Sequence, residues 1–154
     1  MAVITFPTTR FGNVEVDEAL LVCFPAGLVG FEHLRRFVIL EGPAGTPLKW
    51  LQSVDEPAIA FVVADPVAII PDYVVRVRGE DLNPLNLDSP EDATVAVIIT
   101  VPGELPKATC NLLAPLIFNV EKRLGMQVVL DEDYPIRHPL AVCAAGDENR
   151  AEGD

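Results

Sequence analysis

The sequence predicts an all-β protein, a single-domain, partly closed antiparallel β-barrel or sandwich of short strands. Three observations carry that expectation. About nine or ten short apolar or alternating segments are separated by turn signals. Fourteen prolines and ten glycines are scattered along the 154 residues and leave little room for long helices. No heptad, internal repeat or helix-strand alternation of the kind that builds a parallel sheet is present. Half of the residues are hydrophobic, enough for one substantial core. The barrel domain is assigned to residues 1–141 and an acidic, disordered tail to residues 142–154.

Taken in order, residues 3–6 form a strand closed by Pro7, and 11–16 a second one with Val14 and Val16 inward against Asn13 and Glu15. Asp17 and Glu18 turn the chain. Residues 19–24 form a strand stopped at Pro25, Gly30 to Leu34 make a single helical turn, and 36–41 resume as a strand. The centre is the hairpin of residues 48–64, two apolar runs flanking the turn Val54-Asp55-Glu56-Pro57. In the second run Ile59, Phe61 and Val63 alternate with Ala60, Val62 and Ala64; both sets are apolar, so this strand is covered on both faces. Trp50, the only tryptophan, is assigned to the core, and Gln52, Ser53, Asp55 and Glu56 to the wet end of the hairpin. Residues 73–78 alternate valines with Arg76 and Arg78 and read as a strand; 79–87 are irregular or a short helix. Ser89-Pro90-Glu91-Asp92 has the form of a helix N-cap, and 93–101 are strongly β. Strands at 107–113 and 116–120 are separated by Ala114-Pro115, a bend or bulge. The last strong strand is 126–130, and 135–140 dock one more extended segment.

The formal net charge of −12 opposes binding to nucleic acid phosphates and favours a basic protein partner, although surface acid also keeps an apolar, strand-rich chain soluble. Four carboxylates against Arg150 put −3 on the tail and leave −9 on the folded part. The longest apolar stretches, such as 94–101, are far shorter than the ~20 residues of a membrane helix. The N-terminus has no basic start of a signal peptide, so a cytoplasmic location is expected. Three cysteines without a close pair argue against a disulfide framework or a Cys-x-x-Cys metal site; Cys23 and Cys110 read as buried thiols. No glycine-rich phosphate loop follows a strand, and Gly42-Pro43-Ala44-Gly45 lacks the lysine of a nucleotide site. His33 and His138 lie in no nucleophile motif, and nothing in the sequence supports a Cys110–His138 pair. No catalytic, cofactor or metal site is assigned.

Three blocks stand out in order and spacing: Phe11-Gly12 with Phe24-Pro25-x-Gly27-x-x-Gly30-Phe31-Glu32; Trp50-Leu51-Gln52-Ser53-x-Asp55-x-Pro57-x-x-Ala60-Phe61 with Asp65-Pro66; and Asn111-Leu112-x-Ala114-Pro115-x-x-x-Asn119 closed by Gly125-x-Gln127-Val128. Together they resemble the bacterial flagellar assembly factor FliW family. The resemblance implies a monomeric β-barrel without enzymatic activity that binds flagellin in the cytoplasm and antagonises the RNA-binding translational regulator CsrA, the two partners competing. A small-molecule-binding barrel, marked by a large enclosed cavity, or a general chaperone-like binding protein is the alternative. Among the motif residues, the glycines and prolines set turns and the aromatics pack. The amides either tie the sheet together or bind a partner. Asn111 and Asn119 read as ties; Glu32, Gln52, Asp55, Glu56 and Gln127 are the expected partner-binding residues.

The tail's small and charged residues bury too little apolar surface to offset ordering entropy. Truncation after Ala141 should therefore leave the thermal unfolding midpoint unchanged, and a clear drop in a calorimetric scan would show that the tail docks.

Overall fold

The computed structural model describes residues 2–42, 44–100 and 108–139. Its strands are β1 (Val3–Thr8), β2 (Gly12–Asp17), β3 (Val22–Cys23), β4 (Arg36–Glu41), β5 (Leu48–Ser53), β6 (Ala60–Ala64), β7 (Ala93–Thr100), β8 (Thr109–Cys110), β9 (Leu116–Asn119), β10 (Leu124–Gln127) and β11 (His138–Pro139). β1 and β2 make a separate hairpin. Seven strands close into a barrel in the order β7-β6-β5-β4-β3-β10-β9 and back to β7. All of these neighbours are antiparallel except β3 and β10, which meet in parallel through Cys23 and Leu124. β8 and β11 extend the sheet beyond β7.

Closure depends on how β7 shares one edge between two partners. Thr100 and Ile99 pair with Thr109 and Cys110, and the Asn111 N–H donates to the Ile98 carbonyl. Ala96 to Ala93 then pair with Leu116 to Asn119, so Val97 alone stands opposite residues 112–115. This is the bulge expected at Ala114-Pro115, and its backbone groups are fully partnered, as buried peptide groups must be. The Asn111 Oδ1 accepts from the N–H groups of Leu113 and Ala114, both at 3.0 Å. Leu112 N–H donates to the Pro135 carbonyl, and the Leu112 carbonyl accepts from the Tyr73 hydroxyl. The carbonyls of Leu113 and Pro115 accept from Leu130 and Val128, and that of Ala114 from Gln127 Nε2 at 3.1 Å.

Alternation along the strands divides the apolar residues between two faces. Inside the barrel lie Val22, Phe37, Leu51, Val63, Leu116 and Phe118. Outside, the β1–β2 hairpin brings Phe6 onto Val38 and Val54, while Ile69, Tyr73, Leu112 and Leu130 cover Ala64, Val97 and Ile99. The central strand is thus covered on both faces, as its two apolar sets predict.

The barrel's two ends differ. Where β3, β5 and β10 finish and β4 and β6 start, the segment 24–34 folds across the opening and puts Phe24, Leu28 and Leu34 into the interior cluster. Phe24 meets Phe37 and Phe118 edge-on, with centroids at 5.3 and 5.6 Å. Gly27 permits the fold of this plug: its φ is +68°, and a Cβ there would lie 2.6 Å from the Glu32 backbone.

Several expectations are corrected. Residues 73–78 join no ladder despite their strand-like alternation, because they cross the outer face with Tyr73 buried in it and Val74 held by the Tyr134 hydroxyl. Of 19–24 only Val22–Cys23 is strand; Glu18–Leu20 is a 3-10 turn capped by the Asp17 carboxylate. Gly30 to Leu34 make consecutive turns with a Leu28–Phe31 bridge and no helix. β1 continues through Pro7, tolerated because the hairpin belongs to a two-stranded sheet. Cys23 is exposed, since the alternation of β3 sends Val22 inward and Cys23 out; Cys110 is buried. Trp50 lies half-buried on the outer face, edge-on to Phe11 with the Arg10 guanidinium 4.4 Å from its ring centre. β8 keeps only Thr109–Cys110 of the expected strand 107–113, and residues 101–107, Cys143 and the tail lie outside the described residues.

Gly125 faces the Phe24 ring so closely that a Cβ would lie 2.7 Å from Cζ. Gly125→Ala should cost about 1–3 kcal/mol through overpacking. Phe24→Leu should relieve part of that, giving less than additive losses in urea unfolding; full additivity would show that the two residues do not compete for space.

Candidate functional site

Four of the five expected partner-binding residues lie at the plugged end. Glu32 is on the plug itself, Asp55 and Glu56 form the β5–β6 turn, and Gln127 ends β10. Their availability differs, and the differences follow from hydrogen bonds.

The Glu32 side chain is exposed. Its Oε2 accepts the Gly30 N–H at 3.0 Å, and this backbone hydrogen bond, followed by its own N–H, holds the carboxyl below the usual glutamate range. Glu56 is also exposed, and its N–H donates to Ser53 Oγ at 3.0 Å, which shapes the turn. Asp55 is exposed but not electrostatically free: Arg36 at the start of β4 donates to both carboxylate oxygens, through Nη2 and through Nε at 3.3 Å. The acidic tip predicted from sequence is therefore half compensated, with Glu32 and Glu56 carrying its unpaired charge.

Gln52 is a correction. It is 0 % exposed, on the outer face of β5 under the β1–β2 hairpin, and offers no surface to a partner. Its Nε2 donates to the carbonyls of Ser53, Pro57 and Ile59 at 2.9, 3.3 and 3.1 Å, which fixes the hairpin turn from inside. Oε1 has no partner among the described residues. Gln127 is half-buried and acts as a clamp: Oε1 accepts the Val29 N–H at 2.9 Å while Nε2 donates to the Ala114 carbonyl. It thereby fastens plug to bulge. Asn119 is a tie of the same kind, donating to the Leu85 carbonyl at 2.8 Å and accepting from the Lys122 N–H.

At the other end, where β4, β6 and β9 finish and β3, β5, β7 and β10 begin, an open cleft of about 290 Å³ reaches the interior side chains of Val22, Val63, Ala96 and Phe118. Ile39, Lys49, Thr94 and Arg123 stand around it. The barrel below is filled by Phe24, Phe37, Leu51 and Leu116, all essentially inaccessible, so there is a mouth and no large enclosed cavity among the described residues. Sequence reading missed this mouth, at whose edge the apolar Ile39 is left more than a third exposed. A larger cleft of about 940 Å³ lies outside the barrel between residues 76–81 and 126–132. It is polar, and Arg76 is spent there on Glu132 at 2.9 Å. Cys110 and His138 are register partners across β8 and β11, with the cysteine buried.

The family model described as FliW protein matches residues 5–140. The flagellar assembly factor FliW of Natranaerobius thermophilus is 41% identical over 133 residues, covering 85% of this chain and 88% of that protein. Its counterpart from Caldicellulosiruptor saccharolyticus is 42% identical over 131 residues, 84% and 86% of the two chains. A crystal structure of the flagellar assembly factor FliW superposes with a TM-score of 0.81 at 36% identity, over 89% of this chain and 96% of that one.

The clamp and the ion pair should separate in stability. Gln127→Ala leaves a buried carbonyl and the Val29 N–H without their partner and should cost about 1–3 kcal/mol. Asp55→Asn removes an exposed pair and should cost under about 1 kcal/mol. Denaturant unfolding of both variants checks this, and equal losses would overturn the distinction.

Proposed function

The chain belongs to the FliW family of flagellar assembly factors, and from that premise we propose that it acts in the cytoplasm as a monomeric binding protein for flagellin and for the translational regulator CsrA. The two partners compete. When flagellin is exported, this protein is released, sequesters CsrA and permits translation of flagellin mRNA.

The observation that carries this reading is the match over residues 5–140, which includes all three sequence blocks. The role named for the relatives is assembly, not catalysis. Charge supports it: a formal −12 suits a basic, RNA-binding regulator as a partner and disfavours direct contact with RNA. The plugged end is the proposed contact region, with exposed Glu32, Asp55 and Glu56 around a plug whose Val29 is 62% exposed.

Size-exclusion chromatography tests the proposal. The cognate flagellin and this protein should co-elute at micromolar concentrations, and added CsrA should displace flagellin. Glu32→Gln with Glu56→Gln should weaken the CsrA complex and steepen its loss with salt less than the parent. Separate elution of flagellin and this protein would remove the main support.

A further inference from the structure

The geometry points to the open mouth of the barrel as a binding site for a small apolar monocarboxylate, a short aliphatic acid whose chain enters the cleft and whose carboxylate meets Arg123. The plugged end and the protein partners proposed above play no part in it.

Two independent features meet at this mouth. The first is apolar volume. None of the described segments spans this end, and the cleft of about 290 Å³ is walled by the exposed Ile39 and Val120 and the partly buried Ala96, with the buried side chains of Val22, Val63 and Phe118 at its floor. That volume sits at the lower edge of the roughly 300–1,000 Å³ typical of ligand sites, which are apolar with a few placed polar groups. The filled core beneath Phe118 limits the depth, so a short chain fits and a long acyl chain does not.

The second feature is a cation held in no ion pair among the described residues. Arg123 lines the cleft, half-buried and in a left-handed conformation with φ of 56°. Its Nε and Nη2 donate to the carbonyls of Leu21 and Leu20, which orient the guanidinium without neutralising it. Among the described residues no carboxylate pairs with it, in a chain of net charge −12. A guanidinium has five N–H donors, and two backbone acceptors leave the remaining donors for an anion. Lys49 stands on the same rim as a second cation, shared with Glu41 at 3.0 Å; the one carboxylate in the lining, exposed Asp65, accepts the Val67 N–H through Oδ1 at 2.9 Å and is ion-paired to neither cation. Cation plus apolar hollow selects an aliphatic chain ending in one carboxylate.

Methyl NMR and calorimetry with butanoate, hexanoate and octanoate test the site in the full chain. Saturable shifts should appear at the methyls of Val22, Ile39 and Val63, and affinity should rise about fourfold per added methylene until the cleft is full. Hexanamide should bind at least tenfold more weakly than hexanoate. Arg123→Gln should abolish that preference for the acid; because this change also removes the contacts to Leu20 and Leu21, Thr94→Phe, which fills the mouth from an exposed position, provides the second variant and should block both ligands. Unsaturable shifts at millimolar acid, equal binding of acid and amide, or mouth methyls that move only when a protein partner is added would each overturn the proposal.

Discussion

A closed β-barrel leaves no free edge among its own strands. Here β7 closes the barrel on β9 and pairs with β8 along that same edge, so the stretch of chain between β8 and β9 has lost its ladder. Residues 112–115 could not remain buried with bare peptide groups, each worth about 1–3 kcal/mol when left unpaired. The structure answers with Asn111, whose side-chain oxygen takes two N–H groups. Partners from Tyr73, Gln127, Val128, Leu130 and Pro135 complete the set. Much of the chain's C-terminal half is arranged to reach this one site.

The same bulge governs the plug. Gln127 holds Ala114 with its nitrogen and Val29 with its oxygen, so the segment that shuts one end of the barrel is tied to the segment that lets the barrel close. Gly125, two residues earlier, has no side chain because the Phe24 ring occupies that space. Residues distant in sequence are thus dependent on each other: a change at Gly125 or Gln127 acts on the plug.

The two ends of the barrel offer different surfaces. The plugged end presents exposed carboxylates and an exposed valine on a segment braced from within, while the open end presents a cleft edged by Ile39, Arg123, Lys49 and Asp65. The ion pair of Arg36 with Asp55 trims the negative field at the plugged end, so Glu32 and Glu56 dominate it. The Cys110–His138 juxtaposition places a thiol inside the core, where it contributes to packing next to Ile99 and Leu112.

The sequence by itself determined the strands that follow from alternation and turn residues: 36–41, the central hairpin with both faces apolar, and the bulge at Ala114-Pro115. It also determined the family, because the three blocks are local patterns. Tertiary structure alone decided the rest, since burial depends on what packs above a residue and not on its neighbours in the chain. Gln52 follows Leu51 and precedes a polar turn, and reads as wet until the β1–β2 hairpin, 40 residues earlier, is laid over it. Residues 73–78 have the alternation of a strand, yet a strand requires a partner edge, and Tyr73 anchors them across the barrel's outer face instead. Trp50 has the composition of a core residue but faces outward, because register sends Leu51 inward. The open mouth has no sequence pattern at all: it lies where none of the described segments crosses.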